Sequence, residues 1–154
     1  AEKYDMPILY SCHPRSRNRL AASGFQLDPR VIQHEPLGFH DYNCLQMNAF
    51  AVVSDSGTLP EESSFFTSVG HPFPAICIRT STERPEAIDK GDFIIAGIDE
   101  KSLLQAVDTA VELCRDGQHG IPVPDYVDEN VSIKVVKIVQ SYVGIVNKMV
   151  WRKF

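Results

Sequence analysis

Cysteine is scarce in this sequence and nowhere paired. Cys12, Cys44, Cys77 and Cys114 are scattered over 154 residues with no CxxC spacing. That pattern excludes a zinc ribbon and a disulfide framework, and it reads as the reduced thiols of a cytoplasmic protein. Long hydrophobic runs are missing too. No apolar stretch approaches the roughly 20 residues of a membrane span, and no signal peptide is visible. There is no block of positive charge, and the net charge is −5, so nucleic acid is not an expected partner. His34, His40, His71 and His119 share no metal-ligand spacing, so neither a metal nor a cofactor is expected. Ser-His-Asp arrangements, Walker loops and GxGxxG loops are absent, as are internal repeats.

What is present is an ordinary globular composition, 44% hydrophobic and 23% charged, in a length that suits one domain with a real core. Short apolar runs alternate with helix-compatible segments. Strands are expected near 8–12, 31–34, 50–54, 75–79 and 93–96, with the first of these a buried strand. Helices are expected over 15–22, 41–48 and 61–68, and a short one begins at Pro85, where proline suits the first helical position. Asp99 reads as the cap of a long helix. Its apolar residues Leu103, Leu104, Val107, Ala110, Val111 and Cys114 recur at three and four, and Gly117 ends it. A proline-containing loop follows over 118–129. From Asn130 a second long helix keeps Val131, Val135, Ile138, Tyr142, Ile145 and Met149 at helical spacing. This alternation predicts an α/β fold, a Rossmann-like parallel sheet with helices on both faces, in a single domain over residues 1–154.

One stretch organises the rest: Ala51-Val52-Val53-Ser54-Asp55-Ser56-Gly57-Thr58-Leu59-Pro60-Glu61-Glu62-Ser63-Ser64. Strand, small-residue turn and helix start in that order make an anion site. Gly57 allows close backbone approach, the first helical amides point outward, and Ser56 and Thr58 add hydroxyls. Glu61 and Glu62 sit where the helix dipole tolerates them, and at least one could accept hydrogen bonds from sugar hydroxyls. The competing reading is an ordinary strand-to-helix turn. In a parallel sheet, ligands bind at the carboxyl ends of strands, where His13, Arg15, Glu35, residues 54–58 and residues 79–84 all fall. His13 reads either as a ligand group or as a polar loop histidine. Arg84 could bridge a phosphate bidentately, or form a structural ion pair with Glu83 or Glu86. Tyr42 could stack on a flat base, or simply fill a helical core position.

Ser54-Asp55-Ser56-Gly57-Thr58 with Glu61-Glu62-Ser63-Ser64, followed by Thr82-Glu83-Arg84-Pro85-Glu86-Ala87, resembles the non-hydrolysing UDP-N-acetylglucosamine 2-epimerase family. The match runs on through His13-Pro14-Arg15, Glu35-Pro36 and Asp41-Tyr42. Thr58, the Glu61-Glu62-Ser63-Ser64 run and the tail from Asn130 to Trp151 are most similar to the UDP-N-acetyl-L-fucosamine synthase branch. That branch epimerises UDP-2-acetamido-2,6-dideoxy-L-talose at C2 for surface polysaccharides such as capsule and O-antigen. The resemblance implies the C-terminal, UDP-binding lobe of a GT-B fold. It implies Ser56, Gly57 and Thr58 on the diphosphate, Glu62 on the ribose hydroxyls and Tyr42 against uracil. His13 and Arg84 would stand by the diphosphate and the leaving site as the catalytic pair. The common pattern has a second glycine at Thr58 and often glutamine at Leu37. Two alternatives stay open, a nucleotide-binding regulatory module without catalysis and a glycosyltransferase lobe. The chain starts at Ala1, and Ala1-Glu2-Lys3-Tyr4-Asp5 resembles the end of a helix, so a fragment is expected. It would lack the N-terminal lobe and its own first strand, and alone it would be marginally stable, prone to self-association and inactive. The implied partners are a UDP-sugar, that N-terminal lobe and further copies in a homo-oligomer.

Overall fold

The computed structural model describes residues 1–153. The chain divides into two compact units, Ala1–Asn48 and a second from Ala49 onward. Unit 1 holds β1 (Ile8–Ser11), α1 (Pro14–Ser23), β2 (Val31–His34) and α2 (Phe39–Asn48). β1 and β2 pair in parallel, Ile8 opposite Val31 and Ser11 opposite His34. Pro14 opens α1, where its missing N–H costs nothing, and Gly24 closes it in the left-handed conformation at φ 68°. The strand expected near 8–12 is in place as β1, yet it is not the buried strand its apolar run suggests. Ile8 is 43% and Leu9 49% exposed. An unbroken apolar strand is built for cover on both faces, and unit 1 alone does not cover it.

Unit 2 holds β3 (Val52–Ser54), α3 (Leu59–Ser68), β4 (Ala75–Cys77), α4 (Pro85–Asp89), β5 (Ile94–Ile95), α5 (Glu100–Arg115) and α6 (Val131–Met149). A three-residue 3-10 turn, Pro124–Tyr126, lies between α5 and α6, inside the stretch expected to be irregular. The strand order is β3-β4-β5, all parallel, with Val53 opposite Ile76 and Ile76 opposite Ile94. β4 is central and wholly buried. Ile76 and Leu59 are inaccessible to solvent, and full burial of such a side chain contributes about 1.5–3 kcal/mol. α5 starts where expected, because Asp99 accepts from the Ser102 amide at 2.9 Å. It turns Ala106, Val107 and Ala110 inward, a narrow small-residue face that lets the helix lie close to β4 and β5.

The loop after α5 is pinned to the body of unit 2. Ser64 Oγ accepts from the Val123 amide at 2.7 Å, and the neighbouring Ser63 hydroxyl donates to the Asp92 carbonyl at 2.6 Å. Gly120 presses on Asp92 so tightly that a Cβ there would stand 2.4 Å from Asp92 Oδ1. Only glycine fits that approach. α6 behaves differently. None of its residues is buried. No helix among the described residues is long and apolar enough to cross a membrane.

Candidate nucleotide site

In unit 2 the turn between β3 and α3 forms at the carboxyl end of β3. The Ser56 amide donates to Ser54 Oγ at 3.0 Å, which bends the chain immediately after the strand. Thr58 follows as the residue before α3, and no side chain caps the helix start. Pro60 brings no N–H and the Glu62 amide already donates to the Thr58 carbonyl at 2.9 Å, so the first turn offers few amides to a ligand. A Cβ built on Gly57 meets no protein atom within 4 Å, so the space beside it is open.

Three side chains over this turn form a directed chain of hydrogen bonds. The Thr58 hydroxyl donates to Glu62 Oε1 at 2.8 Å. Ser56 Oγ lies 2.9 Å from Thr58 Oγ1. A hydroxyl has a single hydrogen, and that of Thr58 is engaged by Glu62, so Ser56 donates to Thr58. Ser56 Oγ in turn receives the Thr58 amide at 3.3 Å. Both hydroxyl hydrogens are thus committed to the protein. They are available to an incoming oxyanion by rotation about one bond.

Arg84 stands at the N-cap of α4, and its amide is held by Thr82 Oγ1 at 3.0 Å. Its ion-pair partner is neither Glu83 nor Glu86, as the sequence alone suggested, but Glu61 in the first turn of α3. Arg84 Nε donates to Glu61 Oε1 at 2.7 Å, and Nη2 lies 2.6 Å from the same oxygen. This hydrogen bond, followed by the carboxylate charge, raises the guanidinium pKa further. Glu83 serves Arg79 instead, at 2.7 Å. The Glu86 carboxylate accepts from the Tyr126 hydroxyl, and that bond lowers its pKa. Burial and then Glu86 push the Tyr126 phenol up to about 12. The reason for the exchange of partners is geometric. Arg84 precedes the first residue of α4, and from there its side chain reaches across to the first turn of α3, while Glu83 and Glu86 are taken by Arg79 and Tyr126.

In unit 1, His13 is the N-cap of α1. Its Nδ1 accepts from the Arg15 amide at 3.2 Å, so the neutral ring carries its proton on Nε2. Tyr42 is half-buried in α2, neither core nor free, and its hydroxyl accepts from Gln46 Nε2 at 3.2 Å. Ser56, Gly57, Thr58 and Glu62 are therefore brought together, with Arg84 joined to the same helix start through Glu61. The sequence reading missed Glu61 as the partner of Arg84 and missed Tyr126 entirely. Adjacent glutamates in a first turn were the available signal for the first, and nothing local marks the second.

A curated UDP-N-acetylglucosamine 2-epimerase of Methanocaldococcus jannaschii is 32% identical over 111 residues, 70% of this chain and 29% of the relative. The solved UDP-N-acetylglucosamine 2-epimerase of Rickettsia bellii superposes with a TM-score of 0.84 at 38% identity, covering 99% of this chain and 41% of that one. The Methanocaldococcus jannaschii enzyme solved in complex with UDP-GlcNAc and UDP gives a TM-score of 0.73 at 26% identity, over 92% of this chain and 37% of that one. The chain thus spans well under half the length of these relatives, and the α/β architecture of a GT-B lobe stands. Residues 1–140 match the family described as UDP-N-acetylglucosamine 2-epimerase, and the chain belongs to that family.

Proposed function

We propose that this chain supplies the UDP-binding lobe of a cytoplasmic UDP-sugar 2-epimerase that forms UDP-N-acetyl-L-fucosamine for surface polysaccharide. The observation that carries the nucleotide reading is the β3–α3 turn. The fold has no steric need for glycine at 57, since a Cβ there touches nothing. A backbone without a side chain is what a diphosphate needs for close approach. Ser56 and Thr58 supply hydroxyls at that point and Glu62 an acceptor for the ribose. Arg84 is assigned to the charge that builds on departing UDP. His13, with its proton on Nε2, is assigned to the diphosphate and Tyr42 to the uracil. Thr58, the Glu61-Glu62-Ser63-Ser64 run and the tail from Asn130 support the fucosamine branch.

The chemistry is elimination and re-addition. A base removes the C2 proton, and the C1–O bond breaks with its electron pair leaving on UDP. The resulting C1=C2 glycal takes a proton at C2 from the opposite face as the UDP oxygen rejoins C1. Amides and cations around the leaving diphosphate lower that barrier. The proton-transfer carboxylates implied by the resemblance belong to the family's other lobe.

An NMR assay of the intact enzyme with UDP-2-acetamido-2,6-dideoxy-L-talose and with UDP-N-acetylglucosamine tests the reading. C2 inversion or free glycal with the first sugar is expected. Transfer to an acceptor would make it a glycosyltransferase, and saturation without turnover a regulatory module. Within the site, Glu62→Ala is expected to weaken UDP binding by ~1–3 kcal/mol through loss of the ribose acceptor, and unchanged calorimetry would return Glu62 to a structural role.

A further inference from the structure

An arginine guanidinium carries five N–H groups in a rigid planar fork. In Arg84, Nε donates to Glu61 Oε1 at 2.7 Å and Nη2 lies 2.6 Å from the same oxygen. Nη1 donates to the Glu83 carbonyl at 3.3 Å. Three of the five are engaged. Among the described residues, one N–H on Nη1 and one on Nη2 are left without a protein partner, on the outer, Nη1–Nη2 edge of the fork. That edge grips two oxygens of a phosphate side by side. Glu61 belongs to the first turn of α3, directly after the turn that carries Ser56 and Gly57.

We propose that Glu61 is a positioning residue for diphosphate recognition: its carboxylate clamps the inner edge of the Arg84 guanidinium, fixing the outer edge for the phosphate oxygens. The inference rests on the reading of the β3–α3 turn as a diphosphate site. It makes a counterintuitive demand. Glu61 is an anion beside an anion site, so Coulomb's law alone says its removal tightens UDP binding. A clamp says the reverse. Without it, Arg84 must lose the freedom of a long side chain at the moment of binding.

Titration calorimetry of this chain with UDP and with uridine separates the two. Glu61→Ala is expected to weaken UDP roughly tenfold, the loss of about one charge-assisted hydrogen bond, and to leave uridine unchanged. Glu61→Gln keeps an acceptor for the fork without the charge, and it is expected to restore UDP affinity to the parent level or above. In an Arg84→Ala background, Glu61→Ala is expected to add no further loss. UDP affinity unchanged or increased in Glu61→Ala would overturn the clamp, as would an equal loss for uridine or an additive loss with Arg84→Ala. Melting curves identify any variant that fails to fold, and the glutamine variant then carries the decision, with a tenfold loss in it counting against the clamp. Failure of the parent to bind UDP would remove the diphosphate reading itself, whereas an Arg84→Ala variant that binds it normally would overturn the clamp by taking Arg84 out of the site.

Discussion

Gly57 is the residue where fold and function make opposite demands. It is absent from the residues with positive φ, and a Cβ there meets open space. Alanine at such a position restricts the unfolded chain without strain in the folded one, which stabilises by ~0.4–1 kcal/mol. Gly57→Ala is therefore expected to raise the melting temperature and, because the methyl occupies the approach path of the diphosphate, to weaken UDP binding. Calorimetry and thermal melting on one preparation test both halves. A variant that melts lower, or binds UDP as the parent does, would refute the account of this turn. The position of the turn was legible in the sequence, because small residues with a glycine break a strand before a helix start. The partners of its charged neighbours were not. Glu61 finds Arg84 across 23 positions, and Tyr126 finds Glu86 across 40. Such pairs depend on how each helix is rotated against the next, which periodicity along one chain does not encode.

At the scale of elements, the helix ends could be read closely because capping is local: Pro14, Asp99 and Gly24 act within a few residues of themselves. Strand positions were equally legible, while strand burial was not, since burial depends on what covers a face. The pinned loop after α5 is another long-range feature. Asp92 is buried, and its two carboxylate oxygens lack a hydrogen-bond partner of good geometry among the described residues. Burial raises its pKa, with a weaker opposing effect from Ser64. A carboxyl raised in the folded state binds its proton more tightly there than in the unfolded chain. Its favourable contribution is fully present below the unfolded pKa and is lost as pH rises through the folded pKa. Asn cannot ionise, so Asp92→Asn is expected to melt above the parent at pH 7, with the gap narrowing toward pH 4. The carboxylates with lowered pKa values, Asp28, Glu83, Glu86 and Asp99, are common to both proteins and cancel in the difference. Parallel melting profiles across that range would show that Asp92 does not carry the effect.

For the whole molecule the decisive feature is α6. A helix with Val135, Ile138, Tyr142, Ile145 and Met149 at three and four spacing is shaped for burial, yet these residues are 50–72% exposed. Exposed apolar surface on that scale marks an interaction face. In a solution of this chain by itself, the available apolar partner is a second copy, and association then follows mass action. The apparent mass is expected to rise above 17.2 kDa as concentration increases, and the melting temperature should rise with it. Ile138 and Ile145 lie seven apart, two turns along one face, and both are more than half exposed. Placing charges there, Ile138→Glu with Ile145→Glu, puts like charges at the centre of any such contact. It leaves helix propensity nearly unchanged, because glutamate is as good a helix former as isoleucine or better. The double variant is expected to keep the helical circular dichroism of the parent while remaining at the mass of one chain at every concentration. Light scattering after size exclusion, at several loading concentrations, provides the measurement. A parent that stays at a single-chain mass throughout would mean that α6 tolerates water as it stands. A double variant that associates as strongly as the parent would place the contact on another face.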